Sequence, residues 1–253
     1  MISCIFAFYI AAIGPLAGRG PTDAPVQPVQ AQPADADALY AQREDLASAR
    51  RAESIWAARL SANPRDFEAA WKLARARYWI GGHAPEAERR AAYEAGIAAA
   101  RAAAGTQPDR PEGHFWMAAK MGALAESFGI RQGLKYRGEI RSALLRVLEI
   151  DPAFQQGSAD RALGRWYFKV PGLFGGSRTR SEEHLRRSLT YGPDSTASHF
   201  FLAEALLDWG RRDEGRAALQ RVIDAPLDPD WTPEDREFKR KAREMLAALD
   251  RRR

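Results

Sequence analysis

The chain has 253 residues, 45% of them hydrophobic and 28% charged, with a formal net charge of +5, which is material for one substantial core or one extended repeat array and not for two independent domains. The basic residues are nearly all arginines interleaved with acidic ones along every helical stretch, a pattern of solvated helix faces that argues against the one-sided basic stripe of a nucleic-acid binder. The single cysteine, Cys4, excludes an intrachain disulfide and any cysteine-based metal site.

The N-terminal segment differs from everything after it. Ile5 to Ala17 is a nearly uncharged apolar run of about 13 residues, followed by a Pro/Gln/Ala-rich tract as far as Ala38. Spanning a bilayer takes about 20 residues, so the run fits a secretory signal core, with Val29-Gln30-Ala31 as the small-x-small cleavage site. Residues 1–31 are predicted as a signal peptide, 32–36 as a linker and 37–253 as the helical domain of an exported, periplasmic protein. Cys4 precedes the apolar run, where a lipid-attachment cysteine would follow it, so lipid anchoring is not expected.

Alanine, arginine, leucine and glutamate dominate the remainder, and strand-length runs of Val, Ile and Thr are missing, so the body should be all-α. Leu39, Leu46, Ala49, Ile55, Trp56 and Leu60 mark a first capping helix from about Asp37 to Leu60. Helix-opening prolines then recur at Pro64, Pro108, Pro152 and Pro193, spaced by 44, 44 and 41 residues. After each comes a large residue beside a small one, Leu73-Ala74, Met117-Ala118, Leu163-Gly164 and Leu202-Ala203, as close helix-helix packing requires. This is the signature of a stacked array.

The first unit has a turn at Gly81-Gly82 and an insert of about ten residues before a returning helix from Arg90 to Ala104. The second carries an extra segment from Phe128 to Lys135 before Ile140 to Ile150, and the third an insert at Pro171 to Gly176. The fourth has no insert, and Thr232-Pro233-Glu234-Asp235 opens a closing helix that runs to Leu249. The expected fold is an all-α solenoid of about four helical hairpins with N- and C-terminal capping helices.

These units resemble tetratricopeptide (TPR) repeats lengthened at the turn inside the hairpin. More narrowly, Ala162 to Tyr167, Val170-Pro171-Gly172, Phe174-Gly175 and Glu182 to Leu189 look like the TRAP-transporter T-component family over about Pro64 to Ala225. The resemblance implies an exported helical-repeat protein that docks a periplasmic solute-binding protein, a small hydrophobic ligand, or both. A general TPR protein-protein interaction scaffold of the cell envelope is the alternative.

No chemistry of a catalyst is written in the chain. His83, His114, His184 and His199 are not at metal-ligand spacings, though His114 and His199 lie equivalently, six residues after their prolines. A phosphate loop and a nucleophile elbow are both missing, so no enzyme activity, cofactor or metal is expected. What remains is a concave face. TPR geometry places Trp71 and Arg75, Phe115 and Ala119, Arg161 and Arg165, and Phe200 and Glu204 along it, with Tyr78 and Phe168 one turn further. Aromatic rings beside arginines suit a peptide or an amphipathic molecule with an anionic end, while each ring taken singly also fits an inter-helix core. Phe128, Gln132, Lys135 and Phe174 in the inserts are further candidates.

Overall fold

The structure is a computed structural model and describes residues 35–251. The predicted signal segment lies outside the described residues, as does the side chain of Gln132.

Four proline turns set the architecture. The carbonyl before each proline accepts from the amide two residues after it: Asn63 from Asp66 at 2.9 Å, Gln107 from Arg110 at 3.2 Å, Asp151 from Phe154 at 3.2 Å and Gly192 from Ser195 at 3.0 Å. Proline's fixed φ suits the second position of such a turn. The prolines therefore sit in turns ahead of the helices, not in the first helical positions expected of them. Asp66 and Ser195 each cap the helix that begins after them, accepting from the Ala69 amide at 2.9 Å and the Ser198 amide at 3.3 Å.

The helices are α1 (Ala36–Ala41), α2 (Leu46–Ala62), α3 (Phe67–His83), α4 (Glu86–Thr106), α5 (Pro111–Phe128), α6 (Ile130–Ile150), α7 (Phe154–Lys169), α8 (Arg178–Tyr191), α9 (Thr196–Asp208), α10 (Arg212–Asp224) and α11 (Thr232–Asp250). The expected capping helix is broken in two because Asp45 takes an N-cap position, its carboxylate accepting from the Ala47 and Ser48 amides.

Two of the three expected inserts do not form loops. Gly81-Gly82 lie inside α3, where the Tyr93 ring comes within 2.5 Å of the place a Cβ at Gly81 would occupy; the connection to α4 is only Ala84-Pro85. Of the segment Phe128 to Lys135, Phe128 ends α5, Gly129, with φ of 88°, is the only interruption, and the rest is the start of α6. The third insert is a real loop, a 3-10 turn at Gly172–Phe174.

Helices α3, α5, α7 and α9 touch in succession to make an inner layer, and α4, α6, α8 and α10 pack outside them as hairpin partners. The small members of the repeated pairs, Ala74, Ala118, Gly164 and Ala203, are all buried. One core runs from Ala36 on α1 to Tyr167 on α7, and a second from Leu185 to Ala242. Lys120 is a fully buried exception. Its Nζ donates to the Trp116 carbonyl at 3.0 Å, and burial, with Arg77 near by, holds the amine well below its ordinary pKa.

The last helix reaches back to the first. Arg43, between α1 and α2, pairs with Glu234 on α11 and donates to the Asp230 carbonyl at 2.9 Å. Arg236 meets Glu44 at 2.7 Å and His83 lies 3.7 Å from Glu237. The cap at the C-terminal end thus spans the concave side of the array.

Candidate chamber in the concave face

Beneath α11 and the segment Pro226 to Trp231 lies a chamber of about 1270 Å³, walled by the inner helices α3, α5, α7 and α9. Its apolar wall includes Phe115, Trp116 and Phe200, with Phe238 of the roof 5.3 Å from the Phe200 ring. The space exists because Ala118, Ala119, Gly122 and Ala123 face it from α5 where larger side chains would fill it.

Of the residues placed on the concave face from sequence, Tyr78, Phe115, Ala119, Arg161, Arg165, Phe200 and Glu204 line the chamber. Three do not. Trp71 packs with Leu60, Phe67 and Ala103, and Arg75 lies 4.2 Å over the Tyr40 ring, so α1 covers this part of the face. Phe168 turns away and packs edge-on to Trp209 at 6.0 Å in the second core. The insert candidates are outside as well: Phe128 lies under Arg90 at 4.1 Å, Lys135 is exposed on α6, and Phe174 is on the 3-10 turn.

Two arginines one turn apart on α7 behave in opposite ways. Arg165 is committed to the fold: it bonds Glu126 of α5 with two nitrogens, at 2.6 and 2.7 Å, and Glu204 of α9 at 2.5 Å, with the Phe201 ring 4.2 Å away. Burial alone would lower its pKa, but the two carboxylates outweigh it and raise it. Of the two arginines expected on the concave face, the one left to hold an anion is therefore Arg161, whose hydrogen bond is a long one to Ser195 Oγ at 3.4 Å. No carboxylate of the described residues forms an ion pair with it, and burial lowers its pKa to about 10.

The carboxylates that line the roof side are mostly taken. Glu234 holds Arg43, and Glu237 lies beside His83 and Lys241, which depress it to about 2. Asp235 accepts from Thr196 Oγ1 at 2.5 Å and from the Asp228 amide at 2.8 Å. Asp228 accepts from Gln156 Nε2 at 2.5 Å. Gln156 belongs to a strained stretch of the wall: Gln155, Gln156 and Gly157 all have positive φ, of 46°, 58° and 71°, a conformation costing a non-glycine residue about 1–3 kcal/mol. The Gln155 side-chain oxygen is buried without a partner.

The roof, Gln155-Gln156 and the Arg161-Arg165 distinction are what sequence reading missed. One signal was present: Glu126, Arg165 and Glu204 are each 39 residues apart and alternate in charge, but Glu126 lies two turns beyond the position equivalent to Arg165 and Glu204, which in its repeat is Ala119, so repeat alignment alone does not give the ladder. The equivalence of His114 and His199 does hold, each ring nitrogen meeting the carbonyl of its own turn proline, Pro108 at 3.0 Å and Pro193 at 2.8 Å.

Residues 33–174, more than half the chain, match the family described as regulator of microtubule dynamics protein 1-3. The chain belongs to this family. In this member of the regulator of microtubule dynamics family the matched region takes in α1 to α7 and the 3-10 turn, and so the N-terminal walls of the chamber. Among solved structures the chain is similar to TTC0263, a thermophilic TPR protein of Thermus thermophilus, with 21% identity, a TM-score of 0.63, and coverage of 83% of this chain and 96% of that one. MamA aligns at 16% identity and a TM-score of 0.49, covering 79% of this chain and 95% of its own. No curated protein matches. The array is TPR-like, and none of these matches is a transporter T-component.

Proposed function

We propose that this member of the regulator of microtubule dynamics family works by binding and not by catalysis, holding in its chamber an amphipathic molecule with an apolar body and an anionic end. The observation that carries this reading is the pairing of a volume of about 1270 Å³ with a cation, Arg161, that has no carboxylate in an ion pair among the described residues. Pockets for drug-sized ligands measure roughly 300–1,000 Å³, so the space takes a whole molecule of that size or larger. Rings and alanines of α5 and α9 would enclose the apolar body. The guanidinium of Arg161 would meet a carboxylate or phosphate in a two-pronged contact. The arrangement at α11 supports a small occupant over a long peptide, since the roof already lies where an extended partner would pass.

The Ile5 to Ala17 run and Val29-Gln30-Ala31 support export to the periplasm, and the loop at Pro171 to Gly176 is what supports an accessory role beside a solute-binding protein of a TRAP-type system. A scaffold role is the alternative, and the TPR-like array is what supports it. The test is to purify the full chain under native conditions and record its intact mass by gentle ionisation, before and after solvent extraction. A bound anionic amphiphile that is lost in Arg161→Gln supports the reading. An empty wild-type chamber that also fails to take up alkyl carboxylates or phosphates refutes it.

A further inference from the structure

The large hydrophobic side chains on the outside of the molecule are few, and two of them are neighbours. Leu173 is 89% exposed and Phe174 38%, whereas Tyr78 and Leu227, also exposed, face the chamber. Leu173 and Phe174 sit at the tip of the third hairpin, and the tip is built, not slack. The Pro171 carbonyl accepts from the Phe174 amide at 2.8 Å and the Gly176 amide at 3.2 Å, and the Ser177 amide donates to the Tyr167 carbonyl at 3.0 Å. At Gly176 a Cβ would stand 1.7 Å from the Val170 oxygen, so this tight return is open to glycine alone. A loop with that many fixed hydrogen bonds holds Leu173 out in water, which is unfavourable for a side chain of that kind unless something covers it.

The surroundings of the tip are basic. The Arg137 guanidinium lies 5.8 Å over the Phe174 ring, Arg180 lies 5.7 Å over Tyr167, and Arg141 Nε meets the Tyr167 hydroxyl at 3.3 Å. Arg178 opens α8 directly after the loop, and Arg131 and Lys135 lie on the preceding turns of α6. None of these six cations forms an ion pair among the described residues. The acidic residues of the same segments are spent elsewhere, Glu139 on Arg101 and Glu182 on Arg186 and Arg211, leaving Glu183.

We propose that the hairpin tip at Pro171 to Gly176 is a docking surface for an anionic lipid bilayer, Leu173 and Phe174 entering the interface while the surrounding arginines and lysine meet the headgroups. A protruding apolar pair with Arg137 against its ring, and with neighbouring cations that form no ion pair among the described residues, matches the two attractions of an anionic membrane surface, apolar insertion and charge. A protein partner would need a complementary concave acidic site, whereas a bilayer accommodates a convex tip of any outline. The proposal is independent of what the chamber holds.

Co-sedimentation of the full chain with vesicles of phosphatidylcholine and phosphatidylserine in a 70:30 ratio tests it. Binding is expected to fall at least about tenfold in the double variant Leu173→Ser with Phe174→Ser, and about fivefold for each of Arg178→Gln and Arg180→Gln, the worth of one cation at such a surface. Pure phosphatidylcholine vesicles should bind far less. Thermal unfolding by circular dichroism confirms that these exposed changes leave the fold intact. A polarity-sensitive dye on Leu173→Cys, in a Cys4→Ser background, should brighten and shift to the blue with anionic vesicles. Failure of the wild-type chain to bind them, or binding that the tip variants leave unchanged, overturns the proposal. The second result assigns adsorption to another surface, the Ile5 to Ala17 run included.

Discussion

The two ends of the array are closed in different ways, and the difference decides where a cavity can exist. At the N-terminal end α1 lies directly on the concave face, with Arg75 packed against Tyr40 and Lys72 paired with Asp37 at 2.6 Å. Trp71 is thereby packed among its neighbours. At the other end α11 is held by its first turns to the α1-α2 connection and by its remainder to α9 and α10. It bridges the inner helices without filling the space between them. Equivalent positions of successive repeats thus have unequal fates: covered by α1 they are core, and roofed by α11 they are wall. Repetition of sequence fixes the position of a side chain on its helix, and the caps fix what it faces.

The sharpest way to break this contrast is at Arg43, which is almost fully buried against Glu234. Removing one partner of a buried pair leaves the other charge uncompensated and costs about 3–5 kcal/mol. Arg43→Ala should lower the denaturant midpoint accordingly and raise amide exchange along α11; exchange unchanged there would mean that the pair does not hold the roof.

Trp71→Ala comes next. As a partly exposed core ring it should cost up to about 3 kcal/mol of stability while leaving chamber binding as it was. A loss of binding with stability intact would put Trp71 back on an open concave face.

Gln155→Gly tests the strained wall. Glycine inside a helix ordinarily destabilises by about 1 kcal/mol, but at φ of 46° it removes a left-handed penalty and a buried oxygen without a partner. The variant should be neutral or more stable by about 1 kcal/mol, and a clear destabilisation on thermal unfolding would argue against the strain.

The smallest effect is the pH dependence of the roof. Burial would lower the pKa of His83, but Glu237 and the Trp79 carbonyl outweigh it and raise it above 6.5. Its contribution is therefore complete below the unfolded value and fades as pH rises through the folded one. Glu237, depressed from 4.5 to about 2 by His83 and Lys241, contributes above the unfolded value and is lost as pH falls toward 2. The pair should hold α11 best between about pH 4.5 and 6.5. The groups are more than a third exposed, so the effect on stability should be under about 1 kcal/mol. His83→Gln should flatten the alkaline limb of a plot of stability against pH.

Much of the fold is legible in the sequence because its determinants are local. The prolines, the large-small pairs and the capping residues act within one hairpin, and four hairpins with caps are what form. The inserts at Gly81-Gly82 and Phe128 to Lys135 were misread because glycine in a helix looks like a turn until the ring packed against it is known, here Tyr93 beside Gly81. The chamber was half legible. Tyr78, Phe115, Arg161, Arg165, Phe200 and Glu204 are on its wall as their repeat positions imply. That Arg161 and not Arg165 remains free depends on carboxylates two helices away in opposite directions, and the roof depends on a pair 191 residues apart, relations that no local pattern carries.

The most direct test is equilibrium binding of a fluorescent alkyl carboxylate, dansylated undecanoate, to the wild-type chain, Arg161→Gln and Trp71→Ala. Losing a charged, two-pronged contact costs about 2–4 kcal/mol, so Arg161→Gln should weaken the probe by roughly thirty-fold or more with little change in unfolding midpoint, and Trp71→Ala should lose stability and keep its affinity. Equal affinity in wild type and Arg161→Gln would contradict the account.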